Sequence, residues 1–131
     1  EYVFIAGGVG ITPIMSMLRT LAERGEQRPL ILFYSNRDWE NVIFREEIEH
    51  LKGALNLEVV HVLEKPPAGW DGERGYISQA ILEKFMPEVK QKNTLEVFIC
   101  GPQPMLKAVE QALVNLRVPF GDFHSERFDL V

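Results

Sequence analysis

Cysteine is almost absent from this sequence, which contains only Cys100. A single cysteine excludes an internal disulfide, so a reducing, cytoplasmic setting is expected. No apolar run reaches the roughly 18 residues that a membrane span needs. Any association with a membrane is therefore expected from other parts of a longer parent protein. The three histidines, His50, His61 and His124, lack metal-ligand spacing to one another or to cysteine. We therefore predict no metal site.

An excess of positive charge is also missing. The 14 Lys and Arg residues are outnumbered by 19 Asp and Glu residues, giving a net charge of −5. Without a basic stretch, nucleic acid is not the expected partner. A small anionic ligand remains compatible with this charge, because a helix N-terminus can hold one without a basic patch.

What the sequence does contain is a regular alternation of strand and helix patterns over 131 residues, enough for one domain. This alternation predicts an α/β fold, a doubly wound, five-stranded parallel sheet with helices on both faces. The expected strand order is 3-2-1-4-5, which places strands one and four together at the switch point where open sheets bind ligands. The predicted strands are residues 2–6, 30–35, 57–63, 95–100 and 120–127, and the predicted helices are 12–23, 43–51, 78–85 and 104–116.

The first strand ends in a glycine-rich corner, Gly7, Gly8 and Gly10, that leads directly into a helix. We expect Thr12 to be the helix N-cap and Pro13 its first residue. Such a corner offers backbone N–H groups and the positive end of the helix dipole to an anion. The spacing is not the G-x-G-x-x-G of the dinucleotide fingerprint, so a purely structural turn is the alternative.

Three further features lie at predicted strand ends. Cys100 begins a second corner with Gly101 and Pro102 after strand four, and it is either a buried small hydrophobe or a group beside a ligand. Glu64 follows strand three, where a carboxylate accepts hydrogen bonds from a ribose diol and repels a phosphate, although a solvated loop residue is the alternative. Arg37, after strand two, would instead pair with a ribose phosphate.

With these motifs, the chain resembles the pyridine-nucleotide domain of the ferredoxin–NADP reductase superfamily, which includes cytochrome b5 reductases and the reductases of aromatic-ring oxygenases. The resemblance covers essentially the whole chain. It implies the fold of the C-terminal domain of ferredoxin reductases and hydride transfer from NAD(P)H to FAD. The motifs that carry it are AGGVGITP (6–13), FYSNR (33–37), FREEI (44–48), GWDGERGYI (69–77), FICGPQPML (98–106) and ERF (126–128).

The resemblance also implies roles for individual residues. The first corner would carry the pyrophosphate, and the Cys100 thiol would lie close to the reacting carbon of the nicotinamide. Glu126 would orient the nicotinamide or the thiol, so Cys100 and Glu126 are the expected catalytic residues, and Phe128 would lie against the flavin. The expected cofactor-binding residues are Gly7, Gly8, Val9, Gly10, Ile11, Thr12, Ser35, Arg37, Glu64, Cys100, Gly101, Pro102, Gln103, Met105 and Phe128.

The chain resembles cytochrome b5 reductase in having an acid at position 64, and this acid favours NADH over NADPH. Arg37 and Lys65 favour NADPH instead. The resemblance implies that residues 1–131 are one NAD(P)H-binding domain of a longer flavin reductase, with FAD on a preceding β-barrel domain of the same polypeptide. That protein would pass electrons to an iron–sulfur centre, a haem or ferric iron.

Alone, this domain is expected to bind nucleotide without appreciable turnover, because hydride transfer needs donor and acceptor in contact. Two alternatives from other classes are a stand-alone nucleotide-binding or regulatory module and a flavodoxin-like mononucleotide binder.

Overall fold

A computed structural model of the chain, which describes residues 2–86 and 95–128, contains a sheet in which every pair of neighbouring strands is parallel. The strand order is β4-β3-β2-β1-β5-β6. The strands are β1 (Tyr2–Gly7), β2 (Leu30–Asn36), β3 (Leu57–Leu63), β4 (Glu73–Arg74), β5 (Glu96–Gly101) and β6 (Phe123–Arg127).

The doubly wound order of the five predicted strands is confirmed, but the predicted strand number is wrong. The additional strand, β4, is only two residues long and lies in a loop rich in proline and glycine. It has no apolar alternation that would reveal it in the sequence. Pairing of Glu73 with Val62 and of Arg74 with Leu63 holds it at the edge of the sheet.

Helices cover both faces of the sheet, as predicted. One apolar core lies between the sheet and the first two helices, and a second core lies between the sheet and the last two. β2 contributes to both, because its apolar residues alternate between the two faces, as expected for a buried parallel strand. Within the described segments, no helix combines the length and apolarity needed to cross a bilayer. The helices are α1 (Ile11–Glu23), α2 (Arg45–Ala54), α3 (Gln79–Phe85) and α4 (Gln103–Asn115).

The start of α1 differs from the prediction. A 3-10 turn at Gly8–Gly10 runs directly into the helix, so Gly10 is the N-cap and Thr12 already lies in the first turn. Pro13 is tolerated there because amide groups of the first turn have no partner within the helix. The predicted end of the helix at residue 23 is confirmed, and Gly25 just beyond it has a positive φ of 70°, the left-handed conformation that ends many helices.

Two other boundaries are also corrected. Phe44 has a φ of 61°, a left-handed conformation that interrupts the chain, so α2 begins at Arg45 and leaves Ile43 in the preceding loop. The last strand begins at Phe123 instead of Phe120, because Phe120–Asp122 forms a 3-10 turn. Both shifts arise from local backbone conformation, to which apolar periodicity is insensitive.

Candidate functional site

The corner after β1 and the corner after β5 are in contact. Ala6 and Cys100 are register partners on these adjacent strands. A Cβ atom added to Gly10 would collide with the Cys100 carbonyl oxygen and would lie 2.5 Å from the carbonyl carbon. It would also lie 2.9 Å from the amide nitrogen of Gly101. Backbone atoms cannot rotate away, so this approach requires glycine, and the predicted meeting of the two corners is confirmed.

Met105, in the first turn of α4, fills the notch between the two corners. A Cβ atom on Gly7 would lie 2.5 Å from the Met105 Sδ and 3.3 Å from the Pro102 Cδ. A Cβ atom on Gly101 would lie 3.1 Å from the same sulfur and 3.4 Å from the amide nitrogen of Gly7. Since a thioether side chain is flexible, this wall can adjust to a ligand in a way that the Gly10 contact cannot.

A cavity of about 1060 Å³ opens beside these corners and extends across the carboxyl ends of β2 and β3. The predicted site therefore lies along the carboxyl ends of the strands. The predicted cofactor-binding residues that line the cavity are Gly7, Gly8, Val9, Ser35, Arg37, Glu64, Pro102, Met105 and Phe128. The predicted site residues outside this lining are Gly10, Ile11, Thr12, Cys100, Gly101, Gln103 and Glu126.

The first corner offers a ligand mainly its backbone. Gly8 has a φ of +53°, and a Cβ atom there would meet nothing within 4 Å, so this residue faces open space. The N-cap of α1, Gly10, makes no side-chain capping hydrogen bond. Ile11 is fully buried and Thr12 is exposed. The Ile11 amide already donates to the Gly8 and Val9 carbonyls, so the turn offers an anion the open backbone at Gly8 and the positive end of the α1 dipole.

The far end of the cavity is formed by the ends of β2 and β3. The amide of Glu64 donates a 3.1 Å hydrogen bond to the carbonyl of Asn36, and the amide of Lys65 donates a 2.7 Å hydrogen bond to the carbonyl of Arg37. These bonds extend the strand pairing and bring Arg37 and Glu64 to the same rim. Both side chains are exposed. The rim therefore presents a cation and an anion side by side to a ligand.

Cys100 is 2% exposed and belongs to the core beneath α1 and α2. Burial, and to a lesser extent the nearby Glu126 carboxylate, raises the pKa of its thiol to about 11. Glu126 is exposed on β6, where it is the register partner of Cys100. At neutral pH this cysteine is a protonated thiol, and the reactive thiolate form is disfavoured.

Phe128 and Gln103 lie on either side of the second corner. The amide of Phe128 donates a 2.8 Å hydrogen bond to the carbonyl of Gly101, which fixes the chain after β6 next to this corner. Its half-buried side chain reaches the cavity wall. Gln103 is the first residue of α4, directly after the N-cap Pro102.

The cavity wall also contains residues that the sequence did not reveal as site residues. Tyr76 is 71% exposed and donates a 3.0 Å hydrogen bond from its hydroxyl to the Oε1 of Glu64. Asn36 is 6% exposed, and its Nδ2 has no hydrogen-bond partner, although the Tyr34 hydroxyl lies close by. Two signals were available in the sequence. Asn36 is a polar residue at the end of an apolar strand, and Tyr76 stands between a glycine and the apolar Ile77. The wall also includes Asn41, Ile43, Ile77, Pro104 and Ala108.

Comparison with known families agrees with this geometry. Residues 4–111 match the model of the oxidoreductase NAD-binding domain. The chain belongs to the oxidoreductase NAD-binding domain family. The matched segment includes both corners and the rim, and therefore every residue that lines the cavity except Phe128.

Relatives of this NAD-binding domain include much longer proteins. A nitrate reductase (NADPH) of Fusarium oxysporum is 32% identical over 128 residues, which are 94% of this chain and 14% of that protein. NADH-cytochrome b5 reductase 2 of Emericella nidulans is 34% identical over 114 residues, which are 85% of this chain and 35% of that protein. The chain spans about a third or less of the length of these curated relatives.

Solved structures share the fold of this NAD-binding domain. The CS-b5R domains of human Ncb5or, in an NAD⁺ form, align with a TM-score of 0.83 and 30% identity over 95% of this chain and 36% of theirs. The flavohem-like FAD/NAD binding domain of nitric oxide dioxygenase from Vibrio cholerae aligns with a TM-score of 0.85 and 23% identity. That alignment covers 97% of this chain and 50% of the other, and at this identity it concerns the fold alone.

Proposed function

We propose that this chain binds NADH in the cavity and presents its nicotinamide to FAD carried by another domain of the same polypeptide, within an electron-transfer reductase. The observation that carries the proposal is the contact of Gly10 with the Cys100 carbonyl. It joins an anion cradle to a second corner at the sheet's switch point, where open α/β sheets bind nucleotides.

The size and lining of the cavity fit a dinucleotide. Its volume of about 1060 Å³ is at the upper end of the range typical of small-molecule pockets, about 300–1,000 Å³. The open turn at Gly8, at the positive end of the α1 dipole, suits a pyrophosphate, and Glu64 at the opposite rim suits a ribose diol.

The second corner would hold the reacting half of the ligand. When bound, a reduced nicotinamide supplies a hydride that a flavin accepts. Pro102 and Met105 offer an apolar wall against which a flat ring can lie, and Phe128, directly after β6, lines the same cavity. The Cys100 thiol is buried outside the cavity lining and stays neutral at working pH, so it does not act as a nucleophile. Glu126, the register partner of Cys100, adds the smaller part of the rise in the pKa of the thiol.

The flavin belongs to the partner domain in this proposal. The Vibrio cholerae protein, of which this chain covers half, is described as binding both FAD and NAD, and its fold supports such a pairing. The whole protein would then be an FAD-dependent NAD(P)H oxidoreductase. Its final electron acceptor would be an iron–sulfur centre, a haem or ferric iron, selected by the rest of the polypeptide.

Glu64 supports a preference for NADH. A carboxylate at the ribose repels a 2′-phosphate, whereas the neighbouring Arg37 and Lys65 attract one. The two relatives described above carry NADPH and NADH in their names, so the preference rests on this chain's own rim. Lys65 does not line the cavity, and of the two charged residues that do, Glu64 is the one held at the rim by a hydrogen bond from Tyr76, so the carboxylate has the larger weight.

Calorimetric titration with NADH and NADPH tests the proposal. We expect the wild-type chain to bind NADH more tightly, and Glu64→Ala to narrow the ratio of the two dissociation constants by about tenfold, the size expected for lost hydrogen bonds to a charged group. Glu58→Ala is the matched control, because Glu58 is exposed at the opposite end of β3. Tighter binding of NADPH by the wild type would contradict the preference, and binding of neither nucleotide would contradict the proposed function.

A further inference from the structure

The end of β4 brings an exposed tyrosine next to the rim carboxylate. β3 and β4 are parallel neighbours, and Leu63 pairs with Arg74, so the residues that follow them emerge side by side. The amide of Gly75 donates a 2.8 Å hydrogen bond to the carbonyl of Leu63. Gly75 has a φ of +86°, a conformation that favours glycine. This turn directs Tyr76 toward Glu64.

Tyr76 is held in this position from both sides. The next residue, Ile77, is 4% exposed and anchored in the core beneath α3 and α4. Tyr76 itself faces outward and is 71% exposed. A large side chain exposed to this degree needs a reason, and the reason visible here is its hydroxyl, which donates to Glu64 over 3.0 Å.

The hydrogen bond fixes a carboxylate that would otherwise have other partners. Arg37 lies on the same rim, and Lys65 is the next residue in the chain. Either cation could draw the carboxylate away from the cavity. The hydrogen bond to Glu64 also raises the pKa of the Tyr76 hydroxyl, so this group stays protonated and donates throughout the neutral range.

The geometry points to Tyr76 as a specificity-determining positioning residue, whose hydroxyl holds the Glu64 carboxylate at the cavity rim and thereby selects NADH against NADPH. With Oε1 engaged by the tyrosine, Oε2 is the oxygen available to the ribose diol of the adenosine half. A 2′-phosphate would meet a carboxylate that cannot turn aside toward Arg37 or Lys65. Tyr76 would therefore act through Glu64, and this inference rests on the proposed function.

The test is a double-mutant cycle read by calorimetry with NADH and NADPH as ligands. We expect Tyr76→Phe to reduce the preference for NADH about two- to tenfold, the range of a single hydrogen bond. In the Glu64→Ala background the same substitution is expected to leave the ratio unchanged, because the acceptor is gone. Tyr2→Phe, on the opposite strand end of the sheet, is the matched control for loss of a tyrosine hydroxyl.

The ratio of the NADH and NADPH dissociation constants distinguishes positioning of Glu64 by the Tyr76 hydroxyl from direct contact of the Tyr76 ring with the nucleotide. If the ring alone mattered, Tyr76→Phe would keep wild-type affinities and Tyr76→Leu would weaken both nucleotides equally, which would overturn the inference. An unchanged ratio in Tyr76→Phe, or an equal change in the Glu64→Ala background, would overturn it as well. Any of these outcomes would overturn only the role of Tyr76, because the wild type would still bind NADH. A wild-type chain that binds neither nucleotide would overturn the proposed function itself.

Discussion

The two ends of the cavity are built in different ways. At the corner end, backbone lies against backbone, as in the approach of Gly10 to the Cys100 carbonyl, and the side chains of Ile11 and Cys100 are buried. At the rim, Arg37, Glu64 and Tyr76 are exposed side chains joined to the sheet by a few hydrogen bonds. Close-packed backbone leaves few alternatives, whereas exposed side chains can be exchanged at little cost in stability.

This difference divides the work of the site. The corner end would hold the groups that every nicotinamide nucleotide shares, and its geometry also sustains the fold. The rim would hold the position at which NADH and NADPH differ. Substitutions at the corner should therefore change stability and binding together, and substitutions at the rim should change selectivity alone.

The largest effect is expected for Gly10→Ala. The added methyl group would overlap the carbonyl group of Cys100, so β1 and β5 must separate locally or α1 must shift. We expect a loss of about 3 kcal/mol or more in the free energy of unfolding, the upper part of the range for overpacking a core. Urea denaturation followed by circular dichroism measures it.

The control for Gly10→Ala is Gly53→Ala in α2. A Cβ atom on Gly53 would meet nothing within 4 Å, and alanine favours a helix by up to about 1 kcal/mol. This variant is expected to match or exceed the wild type in stability. Equal stabilities of the two variants would refute the tight approach of the corners.

A smaller effect is expected at the same end of the cavity from the Cys100 thiol. Its pKa is about 11 in the folded chain against an ordinary value of 9.0, so the unfolded chain loses this proton first as the pH rises. Stability from the thiol is complete below about pH 9 and is lost as the pH approaches 11, by up to about 2 kcal/mol. Denaturation curves of the wild type and Cys100→Ala between pH 7 and 11 measure it.

The difference between the two Cys100 curves isolates the thiol, because other alkaline titrations are common to both proteins. We expect the advantage of the wild type to shrink between pH 9 and 11. Parallel pH profiles would show that the thiol titrates normally, and the corner would then be open to water.

The contrast between the two ends also explains what the sequence could predict. The alternation of strand and helix patterns, with right-handed crossovers, was sufficient for the order of the five main strands and for the meeting of the two glycine corners. These features depend on burial and topology, which leave strong periodic signals. The start of α2 was not predicted correctly, because it depends on the left-handed backbone of Phe44, and this local conformation leaves no periodic signal.

The rim was harder to predict for a related reason. Arg37 and Glu64 could be placed because they follow strands directly, but Tyr76 depends on β4, a strand of two residues formed only by pairing with β3. Its partnership with Glu64 is a tertiary contact between loops. Polar residues in loops have no periodicity, so their contacts become visible only when the backbone is in place.

The smallest expected effect on stability belongs to Arg37→Ala at the rim. The side chain is exposed, and its structural contribution is the backbone carbonyl that accepts from Lys65, which alanine retains. We expect the free energy of unfolding to change by less than about 0.5 kcal/mol. Affinity for NADPH should fall about threefold, as for loss of one exposed charge pair, while affinity for NADH stays unchanged. Calorimetric titration beside Arg24→Ala, an exposed arginine at the far end of α1, measures this. A marked loss of stability, or an equal loss of both affinities, would mean that rim and corner form one unit, and the division between them would fail.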